Sequence, residues 1–286
     1  MDKEKSINEK QTLKDNKTLF EEYKKNVLDG YAFVTYPSDM EKEAIEFLKQ
    51  NKDKNPNALY HYGCLILNDK IKTSNDYKDA FEIMYKLSSD NNIFAQFKLG
   101  LCYGLGQGIK KDIKEAFKWY KKSAEKGHVY ARTILASCYE NGKGVKKDYN
   151  QAFNWYEKAA YQGNADAQNA LAVCYMKGKG VKKDYSKAVD WLKKAAERGS
   201  VYAQYNLADC YMKGEGVNQD KKEAFFWYKK AAEQGDCDSQ YFLGEFYFKG
   251  IGTDVDYDKA KYWLTKALEN GHKNAQKALD SLNNNF

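Results

Sequence analysis

The sequence predicts an all-α protein built as a linear array of stacked helix pairs. Three observations carry that prediction. All five tryptophans, Trp119, Trp155, Trp191, Trp227 and Trp263, stand 36 residues apart. Four of the six cysteines, Cys102, Cys138, Cys174 and Cys210, keep the same interval. So do paired glycines, from Gly106/Gly108 to Gly250/Gly252. A fixed period of this length marks a solenoid, in which each repeat buries its apolar face only against its neighbours.

Composition agrees. The 286 residues exceed a typical single core but suit a stacked array. Aromatic residues make up 15%, with 24 Tyr and only 2 Pro, which argues against extensive disorder. A formal net charge of +7, spread among residues of both signs, supports solubility more than nucleic-acid binding. The opening MDKEKSINEKQTLKDNK lacks the apolar core of a signal peptide. No apolar run reaches the roughly 18 residues that a membrane span needs. A cytoplasmic protein without membrane contact is therefore expected. The cysteine ladder fits: one thiol per repeat sits a helix-packing distance of roughly 8–10 Å from the next, beyond the ~7 Å limit for a disulfide. These four are read as small core-facing side chains. Cys64 and Cys237 stand off the ladder, and the sequence leaves open whether Cys210 and Cys237 pair.

Taken in order, residues 1–17 are polar and read as a disordered tail. Residues 18–57 read as N-terminal cap helices. Phe20, Tyr23 and Val27 share one helical face there. Ser38 and Glu41 have the spacing of a capping box. Residues 58–94 form a degenerate repeat whose loop lacks both glycines. Five clear repeats follow at 95–130, 131–166, 167–202, 203–238 and 239–274.

In each clear repeat a first helix carries apolar residues at helical spacing, as at Ala131, Leu135, Ala136 and Tyr139. A glycine then ends it, because glycine takes the left-handed cap conformation without a Cβ penalty. The second helix starts at Asp112, Asp148, Asp184, Asp220 or Asp256. Asp112 with Glu115, Asp148 with Gln151 and Asp220 with Glu223 have capping-box spacing. Gly127, Gly163, Gly199, Gly235 and Gly271 stop that helix. Residues 275–286 read as a closing helix and tail, since the last open face has no neighbour.

The pattern A-x-x-x-L-A-x-C-Y-x-x-G-x-G-V-x-x-D-Y-x-x-A-x-x-W-x-x-K-A-A-x-x-G resembles the Sel1-like repeat, a relative of the tetratricopeptide repeat. The likeness is strong over 95–274 and weak over 38–94. The last copy departs from it at Thr253 and Lys259. The resemblance implies a right-handed α/α superhelix of antiparallel helix pairs, a solenoid that acts as a non-enzymatic scaffold or adaptor. By analogy with the related repeat, first helices line a concave groove that takes a peptide or protein partner. The candidate groove residues are Tyr205, Tyr241, Asp209, Glu245, Met212 and Phe248, with Asn169 and Met176 further back. Exposed aromatics and Met among charges suit a binding hot spot, but Tyr205 and Tyr241 equally suit packing between repeats. On the hot-spot reading, Tyr205→Ala with Tyr241→Ala abolishes partner capture at an unchanged melting curve.

Two other functions stay open: a regulatory subunit that activates an enzyme in trans, and a β-lactam-binding or β-lactam-hydrolysing relative of the cysteine-rich subgroup. That subgroup carries paired cysteines in each repeat, where this chain has one. Lysine pairs at 110–111, 146–147 and 182–183 form a basic row, read as a solvated edge. His61, His128 and His272 are far apart, and the latter two occupy a helix-start slot suited to a polar cap. No catalytic residue, cofactor or metal is expected, and the chain is expected to be a monomer.

Overall fold

The computed structural model describes residues 18–29, 38–71 and 75–283. Regular structure among them is entirely helical, with fifteen α-helices and one 3₁₀ turn at Ser38–Met40. The expected tail 1–17 and the last residues 284–286 lie outside the described residues. The helices are α1 (residues 18–29), α2 (Glu41–Asn51), α3 (Pro56–Leu67), α4 (Tyr77–Ser89), α5 (Ile93–Leu105), α6 (Ile113–Glu125), α7 (Val129–Asn141) and α8 (Tyr149–Tyr161). They continue as α9 (Ala165–Lys177), α10 (Tyr185–Glu197), α11 (Val201–Lys213), α12 (Lys221–Glu233), α13 (Cys237–Lys249), α14 (Tyr257–Glu269) and α15 (Ala275–Asn283). The chain forms two compact units. The first runs to Ala131 and takes in Lys143–Val145, and the second holds Arg132–Gly142 and the chain from Lys146 on.

In the first unit, α1 buries Phe20, Tyr23 and Val27 against Ala44, Leu48 and Ala58. The capping box expected of Ser38 and Glu41 does not form. Ser38 enters a 3₁₀ turn, so Met40 becomes the residue before α2 and offers no side-chain cap. Glu41 instead pairs with Lys70 at 3.0 Å. The helix α3 starts more firmly: Asn55 accepts from the amides of Asn57 and Ala58, and Pro56 takes the first helical position.

In the second unit the same three devices recur. Each second helix is capped by an aspartate. Asp148 accepts from the amides of Asn150 and Gln151, and Asp220 from those of Lys222 and Glu223. Asp184 and Asp256 accept from Lys187 and Lys259. First helices end on left-handed glycines, Gly178, Gly214 and Gly250. The second glycine of each pair has another task. A Cβ at Gly180, Gly216 or Gly252 would lie 2.1, 2.2 or 2.1 Å from the carbonyl oxygen of Tyr149, Tyr185 or Lys221. The loop of one repeat thus rests, backbone to backbone, on the start of the preceding second helix. Any side chain would hold the two apart.

Between repeats runs a row of buried glutamines. Gln168, Gln204 and Gln240 donate Nε2 to the carbonyls of Ala160, Ala196 and Ala232 at 3.1, 3.1 and 3.2 Å. Each adds a side-chain bond to a carbonyl that already accepts the amide of Gly163, Gly199 or Gly235 at the helix end. All six cysteines are free, and Cys102, Cys138, Cys174 and Cys210 are buried, so Cys210 and Cys237 are not bridged. Burial pushes the Cys174 thiol up to about 12 and the Cys210 thiol to about 11. No described helix is long and apolar enough to cross a membrane.

Candidate functional site

The candidate groove residues all fall in the second unit, on first helices. Asn169, Tyr205 and Tyr241 share one position in α9, α11 and α13, and Met176, Met212 and Phe248 share another. Asp209 and Glu245 lie between them. All eight are half-buried. This is a side of the helix that touches the core with its stem and reaches outward with its tip.

The rings are held from behind. Tyr205 meets Tyr228 edge-on with centroids 5.7 Å apart and lies 6.3 Å from Phe242. Tyr241 stacks flat on His272 at 4.2 Å. Phe248 contacts Tyr257 at 6.0 Å. Burial and the Asp209 carboxylate push the Tyr205 hydroxyl above its usual range, and burial with Glu245 does the same to Tyr241. Both phenols therefore stay neutral donors at physiological pH.

The carboxylates are each shared with a lysine one turn on. Lys213 donates to Asp209, which also accepts from the Tyr228 hydroxyl at 3.3 Å. Lys249 donates to Glu245. One further pair joins the row from outside the candidate set: Glu140 accepts from the Tyr156 hydroxyl at 3.0 Å and from Lys179 at 2.7 Å. The first-helix side of this unit thus alternates rings with carboxylate–lysine pairs.

The structure gathers only part of the candidate set. Tyr241, Glu245, Phe248 and Lys249 come together with Asn274, Lys277, Ala278 and Ser281 around an open cleft of about 490 Å³. Tyr205, Asp209 and Tyr228 form a cluster of their own, joined by the two tyrosine contacts just described. Asn169 is occupied by a hydrogen bond from Asn206 at 2.9 Å. Sequence reasoning missed Lys277 and Ser281, yet a signal was present. They stand 36 residues after Tyr241 and Glu245, so the period runs on into the closing helix.

The histidines divide. In the first unit His128 caps α7, its Nδ1 accepting from the Ala131 amide at 3.1 Å, with Phe97 stacked on it at 4.5 Å. Burial, helped by Lys98, pushes its pKa down to about 4. His272 makes no such cap. Its Nδ1 is buried without a hydrogen-bond partner, and its ring serves as the platform for Tyr241. Among the described residues no three metal-ligating side chains come together.

Comparison with known proteins decides the family. The Sel1 repeat profile matches residues 93–128, 129–164, 165–200, 201–236 and 237–272. This chain belongs to the Sel1 repeat family. Each match opens on the first residue of a first helix, from Ile93 to Cys237. A Sel1 repeat protein from Oxalobacter formigenes is similar at 38% identity and a TM-score of 0.71, over 78% of this chain and 89% of its own. A protective antigen of uropathogenic Escherichia coli with the same type of fold is similar at 33% identity and a TM-score of 0.76, over 82% of this chain. The chain spans 50% of the length of that antigen. No functionally curated protein matches. Sel1-repeat proteins are generally non-catalytic scaffolds for protein interaction.

Proposed function

We propose that this chain is a non-enzymatic, cytoplasmic adaptor that holds a peptide or protein partner on the first-helix side of its second unit. The observation that carries the reading is the cleft between α13 and α15. It joins an aromatic platform, Tyr241 on His272, to charges of both signs, Glu245, Lys249 and Lys277. Lys277 has no ion-pair partner among the described residues, so its charge is available to a ligand. A partner segment that lays an apolar side chain on Tyr241 and Phe248 would meet Lys277 with an acidic group. The six free thiols support a reducing compartment.

Because Tyr205 and Tyr241 both pack on rings behind them, removing either also removes core contact, and the charges make the cleaner probe. Lys277→Glu, at an exposed position, should strongly weaken capture of the partner from a lysate of the source cells while the melting curve stays within about a degree or two, as exposed substitutions usually allow. Full capture by this variant would move the partner elsewhere.

A further inference from the structure

The second-helix side carries a different feature, visible by comparing two consecutive repeat junctions within the second unit. At the first junction, α8 meets α10. Tyr161 sits edge-on to Trp191 with centroids 5.2 Å apart and planes at 84°. The guanidinium of Arg198 lies over Gly163, 3.3 Å from where a Cβ would stand. Lys194 covers the Trp191 ring at 4.3 Å. The chain itself thus sets an aromatic ring against this indole and a guanidinium over the adjoining glycine, with Tyr161 still 74% exposed.

At the next junction, α10 meets α12 and each filling residue is exchanged. Glu197 stands where Tyr161 stood, and Gln234 where Arg198 stood. Gln234 turns inward to donate to the Gln204 side chain at 2.7 Å. Nothing lies within 4 Å of a Cβ built on Gly199. Lys230 is drawn to the Phe226 ring at 5.2 Å. Phe226 replaces Asp190 and stands against Trp227 at 5.0 Å as a second apolar wall. The result is a cavity of about 670 Å³ floored by Trp227, Phe226 and Gly199, with Glu197 on its rim. Glu197 has no ion-pair partner among the described residues.

We infer that this notch is a docking site for a partner peptide that inserts an aromatic side chain against Trp227 and sets an arginine beside Glu197. The neighbouring junction supplies the template: the same indole, in the same backbone frame, is completed there by tyrosine and arginine. The exchange of Tyr161 for Glu197 leaves both the ring-shaped space and the charge that an arriving arginine would answer. An edge-to-face ring pair and a charge-assisted hydrogen bond are the two contacts on offer. The site lies on second helices and does not depend on the first-helix cleft.

The test follows the five indole N–H resonances in a ¹⁵N correlation spectrum of the full chain, with Trp227 and Trp191 assigned by Trp→Phe substitution. The probe is the dipeptide amide acetyl-tyrosyl-arginine amide. A saturable shift of the Trp227 resonance is expected at a Kd on the order of millimolar, as suits two contacts, with the Trp191 resonance unmoved. Glu197→Tyr, which copies Tyr161, should remove the shift. Glu197→Lys keeps the notch open and should weaken binding roughly fivefold, as loss of a partly exposed ion pair does. No saturable Trp227 shift, an equal shift at Trp191, or an undiminished shift in Glu197→Tyr would overturn the inference. Self-association in sedimentation that Glu197→Tyr abolishes would assign the notch to a second copy of the chain and overturn the peptide reading.

Discussion

The opening repeat at α3–α4 and the regular repeats of the second unit solve the same packing problem by different means. In the regular repeats Leu171, Leu207 and Leu243 sit fully buried in each first helix. The equivalent position of the opening repeat is Gly63, and the space goes to Met84, whose Cε stands 2.8 Å from where a Cβ would be. Ile83 stands in the tryptophan position. Asp76 takes a positive φ of 35° and makes no side-chain cap, where Asp148 and Asp220 each accept two amides. The lesson is that core volume can be exchanged between the two helices of a repeat, and that the caps and loop glycines are a separate layer of stabilisation laid over that core.

The loop glycines should show the largest effect. Gly216→Val places a Cβ against the Tyr185 carbonyl at a φ of +74° and should cost about 3 kcal/mol or more, read as a lowered denaturant midpoint. Leu207→Ala should cost about 3 kcal/mol through the cavity it leaves. Refilling that cavity from the second helix, as Met84 does for Gly63, should recover part of the loss in a chemical-denaturation series.

A third test uses the helix-start slot, held by His128 in the first unit and by Asn164, Ser200 and Asp236 in the second. Folding holds the His128 imidazole neutral, with a pKa down to about 4 against an ordinary 6.5. The unfolded chain therefore binds the extra proton first, and the folded state's stability at this site is full above pH 6.5 and is lost as pH falls toward 4. The loss should reach roughly 2 kcal/mol. His128→Asn should flatten that part of the pH–stability curve. The smallest effect belongs to the caps: Asp220→Ala should cost about 1 kcal/mol by thermal melting.

Much of this fold was legible in the sequence because the repeat multiplies weak local signals. One Asp before a helix is a modest cue, whereas five at a fixed interval leave little choice. What stayed hidden lies between repeats. The sequence marks Gly216 as a turn residue but does not say that its open side faces the Tyr185 carbonyl. Gln204 reads as an ordinary polar residue beside Ala203, and only folding sets its amide against the Ala196 carbonyl. Ser38 shows the limit of local spacing: a 3₁₀ turn moved the helix start by two residues and left the box unformed. The candidate groove was legible as a row but not as a shape. Tyr205 and Tyr241 prove half-buried because each has a ring behind it, and the platform under Tyr241 comes from His272, a residue that reads from the sequence as a cap.

The joint between repeats, a glycine Cα laid on a peptide carbonyl, is indifferent to side-chain identity. At that joint the step from one repeat to its successor is set by main chain, with the buried glutamines as its side-chain partners, so outward residues away from both can be rewritten without retuning the stack. Such an assembly can lengthen or shorten by whole repeats and can change its outer surface one junction at a time, as the exchange of Tyr161 for Glu197 illustrates.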